Sequence, residues 1–315
     1  MLEANDIDQV PAEAFAALSI RRLLLWNNGV EGISDAAFHG LGDHLTELHI
    51  REPRLETLPS RVLEQLNSLS NLVIEYTPLK ELPMLSNCRS LSSLHIDASY
   101  LSSLNSRALH HLPLLKTVQI TNSLLEQLGE GSLSHLERLE AVNFTGNRLR
   151  TFQREWMLDL PRLKVIDLGG NLLSHADPVI QSLRPFHALQ AIHLDDNLLG
   201  DLNALFVFPS LISLSAARNR IADVHQLSLE HLPVFRQLDL SSNRIRALPA
   251  TLFDRVATLQ DLNMAGNHIG DGVQIRRILA QLPRLRSLNL DNCRIDSIHQ
   301  DTLGVSIIKL FSNNR

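Results

Sequence analysis

The chain has 315 residues, of which 44% are hydrophobic, 20% charged and only 4% aromatic, with a net charge of −5 and an isoelectric point near 6.3. This composition is ordinary for a soluble protein with a large buried core. The slight acidity provides no basic field for nucleic acid, and no apolar run approaches the roughly 18 residues that a membrane-spanning helix needs.

The start of the chain reads as the end of a repeat. Its first residues, MLEANDIDQV, are acidic and lack the apolar core of a signal peptide. Met1 and Arg315 both fall inside repeats, and the polar caps that solenoids need are missing at both ends. We therefore expect a fragment of a longer protein, and possible self-association through its exposed strand edges.

An internal repeat of about 24 residues runs through the whole chain. Counted from its first apolar residue, positions 1, 4, 6, 11 and 14 are Leu, Ile, Val or Phe, and position 9 prefers Asn. Alternation at positions 4 and 6 indicates a short half-buried strand. Twelve repeats are complete, with partial repeats at 1–19 and 305–315. The repeats start at Ile20, Leu45, Leu69, Leu91, Leu115, Leu139, Leu163, Leu189, Leu211, Phe235, Leu259, Leu285 and Val305.

The asparagine at position 9 has a structural role in this prediction. The chain leaves its strand there, so backbone groups lose their ladder partners, and an amide side chain can satisfy them in its own repeat and the next. We expect the ladder to be weakest between Asn28 and Ser99, because Pro53 has no side-chain donor. The other side chains that fit this ladder are Asn147, Asn171, Asn197, Asn219, Asn243, Asn267 and Asn313, with Thr77, Ser123 and Cys293 as smaller substitutes.

The pattern LxxLxLxxNxI resembles the leucine-rich repeat over the entire chain. Leu-Pro at positions 14–15, as in Leu248-Pro249, and a following Phe such as Phe253 are similar to the typical 24-residue class. This resemblance implies an α/β fold: one curved solenoid domain over 1–315, with a parallel β-sheet on the concave face and short helical or irregular segments on the convex face.

The same resemblance bears on function and location. The typical class is mostly extracellular in animals, as in chaoptin-like adhesion proteins and the Slit and Toll ectodomains. The sequences of the repeats are also similar to those of the non-catalytic subunit of an arthropod luciferase. Cys88 and Cys293 lie nine repeats apart, too far for a disulfide. Cysteine usage therefore leaves a cytoplasmic location open.

The first four complete repeats place unusual residues on the predicted concave face. Aromatic residues are rare in this chain, yet Trp26 and Tyr76 both fall on this face, and Trp, Tyr and Arg are enriched at interface hot spots. We call this candidate partner-binding surface the N-terminal patch. Its members are Trp26, His49, Arg51, Glu75, Tyr76, His95 and Asp97.

An alternative is that these side chains satisfy one another. Trp26 and Arg51 would form a cation–π pair, and Arg51 and Glu75 a surface ion pair, together worth about 1 kcal/mol. The patch would then need no partner.

Later repeats place mostly small or amide residues on the predicted concave face, with two exceptions. Asn143 begins the sequon Asn143-Phe144-Thr145, a candidate glycosylation site. The second exception is a charged cluster that we call the second patch. Such clusters could hold a divalent ion, but surface charge clusters are most commonly solvated polar surfaces, and we favour that interpretation. The members of the second patch are Asp167, His193, Asp195, Asp196 and Arg218.

Motifs for catalysis are absent from the sequence: it contains no GxSxG, no GxxxxGK[ST], no HExxH and no CxxC. We therefore predict a non-catalytic protein-recognition scaffold without a metal or cofactor. It would bind a protein on its concave face, as an extracellular adhesion or receptor ectodomain, or alternatively as a secreted accessory subunit of an enzyme complex.

Overall fold

The computed structural model describes residues 1–106, 108–109, 111–202, 208–225, 227, 229, 232–254, 256–270, 280–295 and 309–311. These residues pack into two compact units. The N-terminal unit comprises Met1–Leu149 and Gln153–Leu163, and the C-terminal unit comprises Arg150–Phe152 and Lys164–Arg315. A single domain over 1–315 stays a prediction. Asn313, placed in the ladder from sequence, lies outside the described residues.

In the N-terminal unit, one strand of two to five residues per repeat joins a parallel sheet of order β1-β3-β5-β6-β7-β9-β11. The pairs β2–β4 and β8–β10 form small separate sheets. The other described segments of this unit are turns and irregular chain, apart from a short 3-10 helix at Arg154–Trp156. The strands are β1 Leu2–Glu3, β2 Gln9–Val10, β3 Arg22–Trp26, β4 Gly32–Ile33, β5 Glu47–Arg51, β6 Asn71–Glu75, β7 Ser93–Asp97, β8 Ser103–Leu104, β9 Thr117–Thr121, β10 Gln127–Leu128 and β11 Ala141–Asn143.

In the C-terminal unit, consecutive strands pair in parallel from β12 to β18. An α-helix, α1 at Ala176–Leu183, buries Val179, Ile180 and Leu183 in a repeat that is two residues longer than most. The strands are β12 Val165–Asp167, β13 Ala191–His193, β14 Ser213–Ser215, β15 Gln237–Asp239, β16 Asp261–Asn263, β17 Ser287–Asn289 and β18 Lys309–Phe311.

Each strand turns alternate side chains to opposite faces, as the apolar spacing predicts. In β5, Leu48 and Ile50 are buried while Glu47, His49 and Arg51 remain partly exposed, and β6 and β7 repeat this pattern. Burying one such leucine stabilises the fold by about 1.5–3 kcal/mol. The predicted repeat solenoid with a parallel sheet and irregular outer segments is thus confirmed, and the exposed side of the strands, here called the sheet face, is where candidate binding residues lie.

The predicted asparagine ladder is present, but its hydrogen bonds run to the preceding repeat, whereas we expected them to run to the next. Asn243 Oδ1 accepts a hydrogen bond from the backbone N–H of Ile221 at 3.0 Å. Its Nδ2 donates to the carbonyl oxygens of Ala216 at 2.9 Å and Leu240 at 3.0 Å. Position 9 therefore connects its own repeat to the preceding one rather than to the next. Four other asparagines make the same set of contacts: Asn147, Asn197, Asn219 and Asn267.

The expected weak point of the ladder, at Pro53, is occupied by another side chain. Pro53 is exposed, and Glu52, one position earlier, is completely buried. Its carboxylate accepts hydrogen bonds from the backbone N–H groups of Asn28, Gly29 and Val30 at 2.9, 3.0 and 3.3 Å, and from Asn28 Nδ2 at 2.7 Å. A carboxyl group offers more acceptor sites than an amide, so the two oxygens of Glu52 continue the ladder there.

Candidate functional site

The N-terminal patch lies on four neighbouring strands of the N-terminal unit. Trp26 ends β3, Arg51 ends β5, and these two residues are register partners. His49 and His95 share the other outward row with Val73 between them. Tyr76 follows directly after β6 and is 53% exposed. All seven side chains predicted from the sequence are thus brought to one stretch of the sheet face.

His49 is at the centre of this stretch. The ring of Trp26 packs edge-on against the His49 ring with centroids 4.9 Å apart, and Glu75 Oε2 lies 3.2 Å from His49 Nε2. The other oxygen of Glu75 lies 3.9 Å from His95 Nδ1. Burial lowers the pKa of His49, against the opposing effect of Glu75. Burial therefore favours the neutral form of His49, which is flanked by an aromatic ring and a carboxylate.

Arg51 takes a different partner from those expected. Its guanidinium carbon lies 4.7 Å from the centroid of the Tyr76 ring, a cation–π contact. The pairings of Trp26 with Arg51 and of Arg51 with Glu75, considered above as an alternative, are wrong in the described part of the chain, because Trp26 contacts His49 and Glu75 faces the two histidines. The indole N–H of Trp26 is covered and has no acceptor among the described residues.

Three neighbours of the patch were missed by sequence reasoning. Asp97 Oδ1 accepts hydrogen bonds from Thr121 Oγ1 at 2.6 Å and from Asn122 Nδ2 at 2.8 Å, so this carboxylate is fixed from the next repeat. Leu24, the register partner of His49, adds partly exposed apolar surface. Counting outward positions in register across adjacent repeats would have found all three.

The backbone marks Tyr76 as unusual. Position 8 of the repeat adopts a left-handed conformation, with φ between 48° and 71°, in every described repeat except that of Glu52. Tyr76 has φ 48° and Arg218 φ 54°, and bulky side chains rarely adopt this region. The other residues at this position are small or suited to it: Asn27, Ala98, Asn122, Gly146, Gly170, Asp196, Ser242, Gly266 and Asn292.

The second patch forms two separate contacts in the C-terminal unit. His193 Nδ1 lies 3.4 Å from Asp167 Oδ2, and this hydrogen bond raises the pKa of His193 against the effect of burial. Arg218 donates two hydrogen bonds of 2.7 Å to Asp196, which lower the pKa of that carboxyl.

Asp195 completes the second patch without joining either pair. Its Oδ1 accepts the hydroxyl of Ser215 and the N–H of Ala217 at 2.7 Å. Each charged group of the second patch is thus satisfied by its neighbours, as expected for a solvated surface.

The predicted glycosylation site lies on the sheet face of β11. Asn143 is partly exposed, and its Oδ1 accepts the N–H of Thr145 at 2.9 Å and the hydroxyl of Thr145 at 2.6 Å. The sequon is therefore folded into a local turn. Glycosylation of Asn143 stays a prediction.

Two further features bear on the type of site. Among the described residues, no group of three His, Cys, Asp or Glu side chains is placed to hold a metal ion. The same part of the chain contains no helix that is both long and apolar enough to cross a membrane. What the N-terminal patch offers chemically is contact area from aromatic rings, one cation and several hydrogen-bonding groups, which together suit binding.

A family model described as Leucine rich repeat matches residues 19–79, 89–149, 138–199 and 209–269 of the chain, and a second of the same description matches residues 284–306. Together they cover most of the sequence.

Solved structures with the same fold come from several sources. An internalin, inlF, of Listeria monocytogenes aligns with TM-score 0.69 and 19% identity over 93% of this chain and 86% of its own. The TLR13–ssRNA13 complex aligns with TM-score 0.74 and 19% identity, covering 95% of this chain and 44% of the TLR13 chain. The Drosophila Toll–Spatzle complex, in its glycosylated form, aligns with TM-score 0.63 and 18% identity, covering 90% and 46%. Likeness at this level of identity establishes the fold alone.

Proposed function

This chain belongs to the leucine-rich repeat family, and from that premise we propose that it is a non-catalytic scaffold whose N-terminal patch binds a protein partner. The fold fits protein recognition, since stacked repeats present a wide sheet face to a partner. Toll, a structural neighbour, forms a complex with Spatzle.

One observation carries the choice of surface. Tyr76 occupies a backbone conformation that other repeats give to Gly, Asn, Asp, Ala or Ser, apart from Arg218, and it is more than half exposed. A bulky residue in the left-handed region costs about 1–2 kcal/mol of strain, and such strain clusters at functional sites. Because Tyr76 also fixes Arg51, the strained residue organises the surface that we propose for binding.

A pair of matched variants tests this surface. Trp26→Ala removes the largest side chain of the patch and is expected to weaken partner binding by at least about 2 kcal/mol. Its effect on unfolding is expected to be much smaller, since the ring lies on the sheet face rather than in the core. Ser241→Ala, at the equivalent position of a repeat with small residues, is expected to change neither, because the Ser241 contacts that hold the turn are made by its backbone.

The measurement combines partner selection and affinity. Peptides from a displayed random-sequence library are selected on the wild-type chain, and their dissociation constants are then compared across the variants alongside urea unfolding. Equal affinities for Trp26→Ala and Ser241→Ala would contradict the N-terminal patch and would move attention to the second patch.

We further propose an extracellular setting, as an adhesion or receptor ectodomain. The Toll neighbour in its glycosylated form supports this setting by analogy, as does the sequon at Asn143. A membrane-spanning helix or lipid-anchor signal elsewhere in the full-length transcript would favour adhesion. The alternative, a secreted accessory subunit, predicts that an enzyme activity co-purifies with the native protein. The low net charge continues to favour protein over nucleic acid as the partner.

A further inference from the structure

Arg51 is a partly buried cation that no described carboxylate neutralises. Its guanidinium is held against the Tyr76 ring, 4.7 Å from the centroid, while the nearest carboxylate along the register row, Glu75, faces His49 and His95. Three cations of the neighbouring repeats are paired: Arg22 with Glu47 at 2.6 Å, Arg54 with Glu31 at 3.5 Å and Lys80 with Glu56 at 2.7 Å.

Stacking on a ring leaves the hydrogen-bonding capacity of an arginine intact. The contact with Tyr76 uses the flat face of the guanidinium, whereas its five N–H donors all lie in the plane of that group. A carboxylate approaching in this plane can accept two parallel hydrogen bonds. Because Tyr76 already orients Arg51, less side-chain freedom is lost when these bonds form.

We propose that the partner of the N-terminal patch inserts an aspartate or glutamate side chain that binds Arg51 through two parallel hydrogen bonds. This inference rests on the proposed function and specifies the chemistry of the partner. Trp26 lies on the adjacent strand in register with Arg51, and we expect it to contact the partner residue next to the inserted carboxylate. Asp97 and Glu75 are fixed by their own donors, so they leave Arg51 available to the partner.

The test uses the same random-sequence displayed peptides, selected on the wild-type chain and then synthesised. Selected peptides are expected to be enriched in Asp or Glu at one position relative to the starting library. Arg51→Gln is expected to weaken such a peptide at least tenfold, and Arg51→Lys to recover only part of this loss, since an ammonium lacks the planar fork. Replacing the acidic residue of the peptide by its amide should cost a similar factor on the wild-type chain and almost nothing further on Arg51→Gln.

The outcomes separate this inference from the proposed function. If Trp26→Ala abolishes binding while Arg51→Gln binds as tightly as the wild type, the carboxylate inference is overturned and the binding surface stands. Peptides without acidic enrichment overturn it equally. If Trp26→Ala binds as the wild type does, the proposed surface itself is wrong. Unfolding curves for each variant establish that lost binding is not lost folding.

Discussion

Single residues at position 8 of the repeat decide how much the sheet face is strained. Its left-handed backbone is tolerated well by glycine and asparagine, and this explains Gly146, Gly170 and Gly266 at this position. Tyr76 adopts the same conformation at φ 48° without that tolerance. Its ring holds Arg51, so a local cost in stability accompanies an ordered surface.

Replacing Tyr76 by Asn is expected to leave stability unchanged or to raise it by up to about 1 kcal/mol. Relief of backbone strain, about 1–2 kcal/mol, exceeds the loss of an exposed cation–π contact worth about 0.5–1 kcal/mol. Binding of a selected peptide should weaken at the same time, because Arg51 loses its support. Urea unfolding and peptide affinity measured on the same protein check both parts.

The reciprocal change serves as the control. Ser242 occupies position 8 of a repeat outside the patch, with φ 55° and an exposed side chain. Ser242→Tyr should destabilise the chain by about 1 kcal/mol without affecting peptide binding. A stabilising effect of Ser242→Tyr would remove the strain argument.

Two histidines are expected to give opposite pH dependences of stability. Hydrogen bonding to Asp167 raises the pKa of His193 above its ordinary 6.5, so its stabilising contribution is present below pH 6.5 and is lost as pH rises through the raised pKa. Burial lowers the pKa of His49, so the unfolded chain takes up a proton first, and stability falls as pH drops through 6.5.

The comparison is between wild type and His193→Gln or His49→Gln in urea, from about pH 8 to pH 5. The wild type should gain stability on acidification relative to His193→Gln and lose it relative to His49→Gln. Parallel pH profiles for all three proteins would show that neither histidine is coupled to folding as its contacts indicate.

At the scale of an element, the turn at residues 28–30 depends on a residue from the next repeat. Four donors of this turn converge on the carboxylate of Glu52, which is completely buried. A turn without such an acceptor would leave three backbone N–H groups of Asn28, Gly29 and Val30 unsatisfied, at about 1–3 kcal/mol each. Glu52 therefore holds together two consecutive repeats at the base of the N-terminal patch.

Glu52→Gln is expected to destabilise the protein by about 1–3 kcal/mol, despite its nearly identical shape. The new amide nitrogen cannot accept a hydrogen bond, and it would face either the backbone donors or Asn28 Nδ2. Thermal and urea unfolding measure the loss. Glu56→Gln is the matched control, since that carboxylate is exposed and pairs with Lys80, and little change is expected there.

At the scale of the molecule, contacts between neighbouring repeats carry the fold, so damage should remain local. Asn243→Ala leaves the N–H of Ile221 and the carbonyls of Ala216 and Leu240 without their side-chain partner, and should cost about 2–3 kcal/mol. Urea unfolding gives the magnitude. Asn87→Ala, at an exposed side chain, should change little.

Hydrogen exchange locates the same effect. Amides of β14 and β15 should exchange faster in Asn243→Ala, while those of β5 and β6 keep their wild-type rates. Uniformly faster exchange along the whole chain would contradict the nearest-neighbour account.

Sequence spacing predicted the strands, their outward residues and the asparagine ladder, because each depends on a period that local packing enforces. Spacing alone could not predict that Glu52 would replace Pro53, since this depends on the backbone at Glu52, which lacks the left-handed conformation of position 8 in the other described repeats. Sequence spacing also could not predict which side chains Arg51 contacts. Arg51 lies in register between Trp26 and Glu75 and contacts Tyr76, and the choice among these neighbours depends on side-chain orientation, which the apolar spacing does not specify.

The backward direction of the ladder limits how the repeats can be exchanged in engineering. Five asparagines at position 9 bond to the repeat before them in the same way, so grafting one such repeat in place of another within a unit preserves the junction: Asn147, Asn197, Asn219, Asn243 and Asn267. The repeat of Asn28 is different, because its turn requires the carboxylate of Glu52 from the following repeat. The repeats that contain Asn28 and Glu52 therefore depend on each other, and a designed graft of the peptide-binding surface must transfer both.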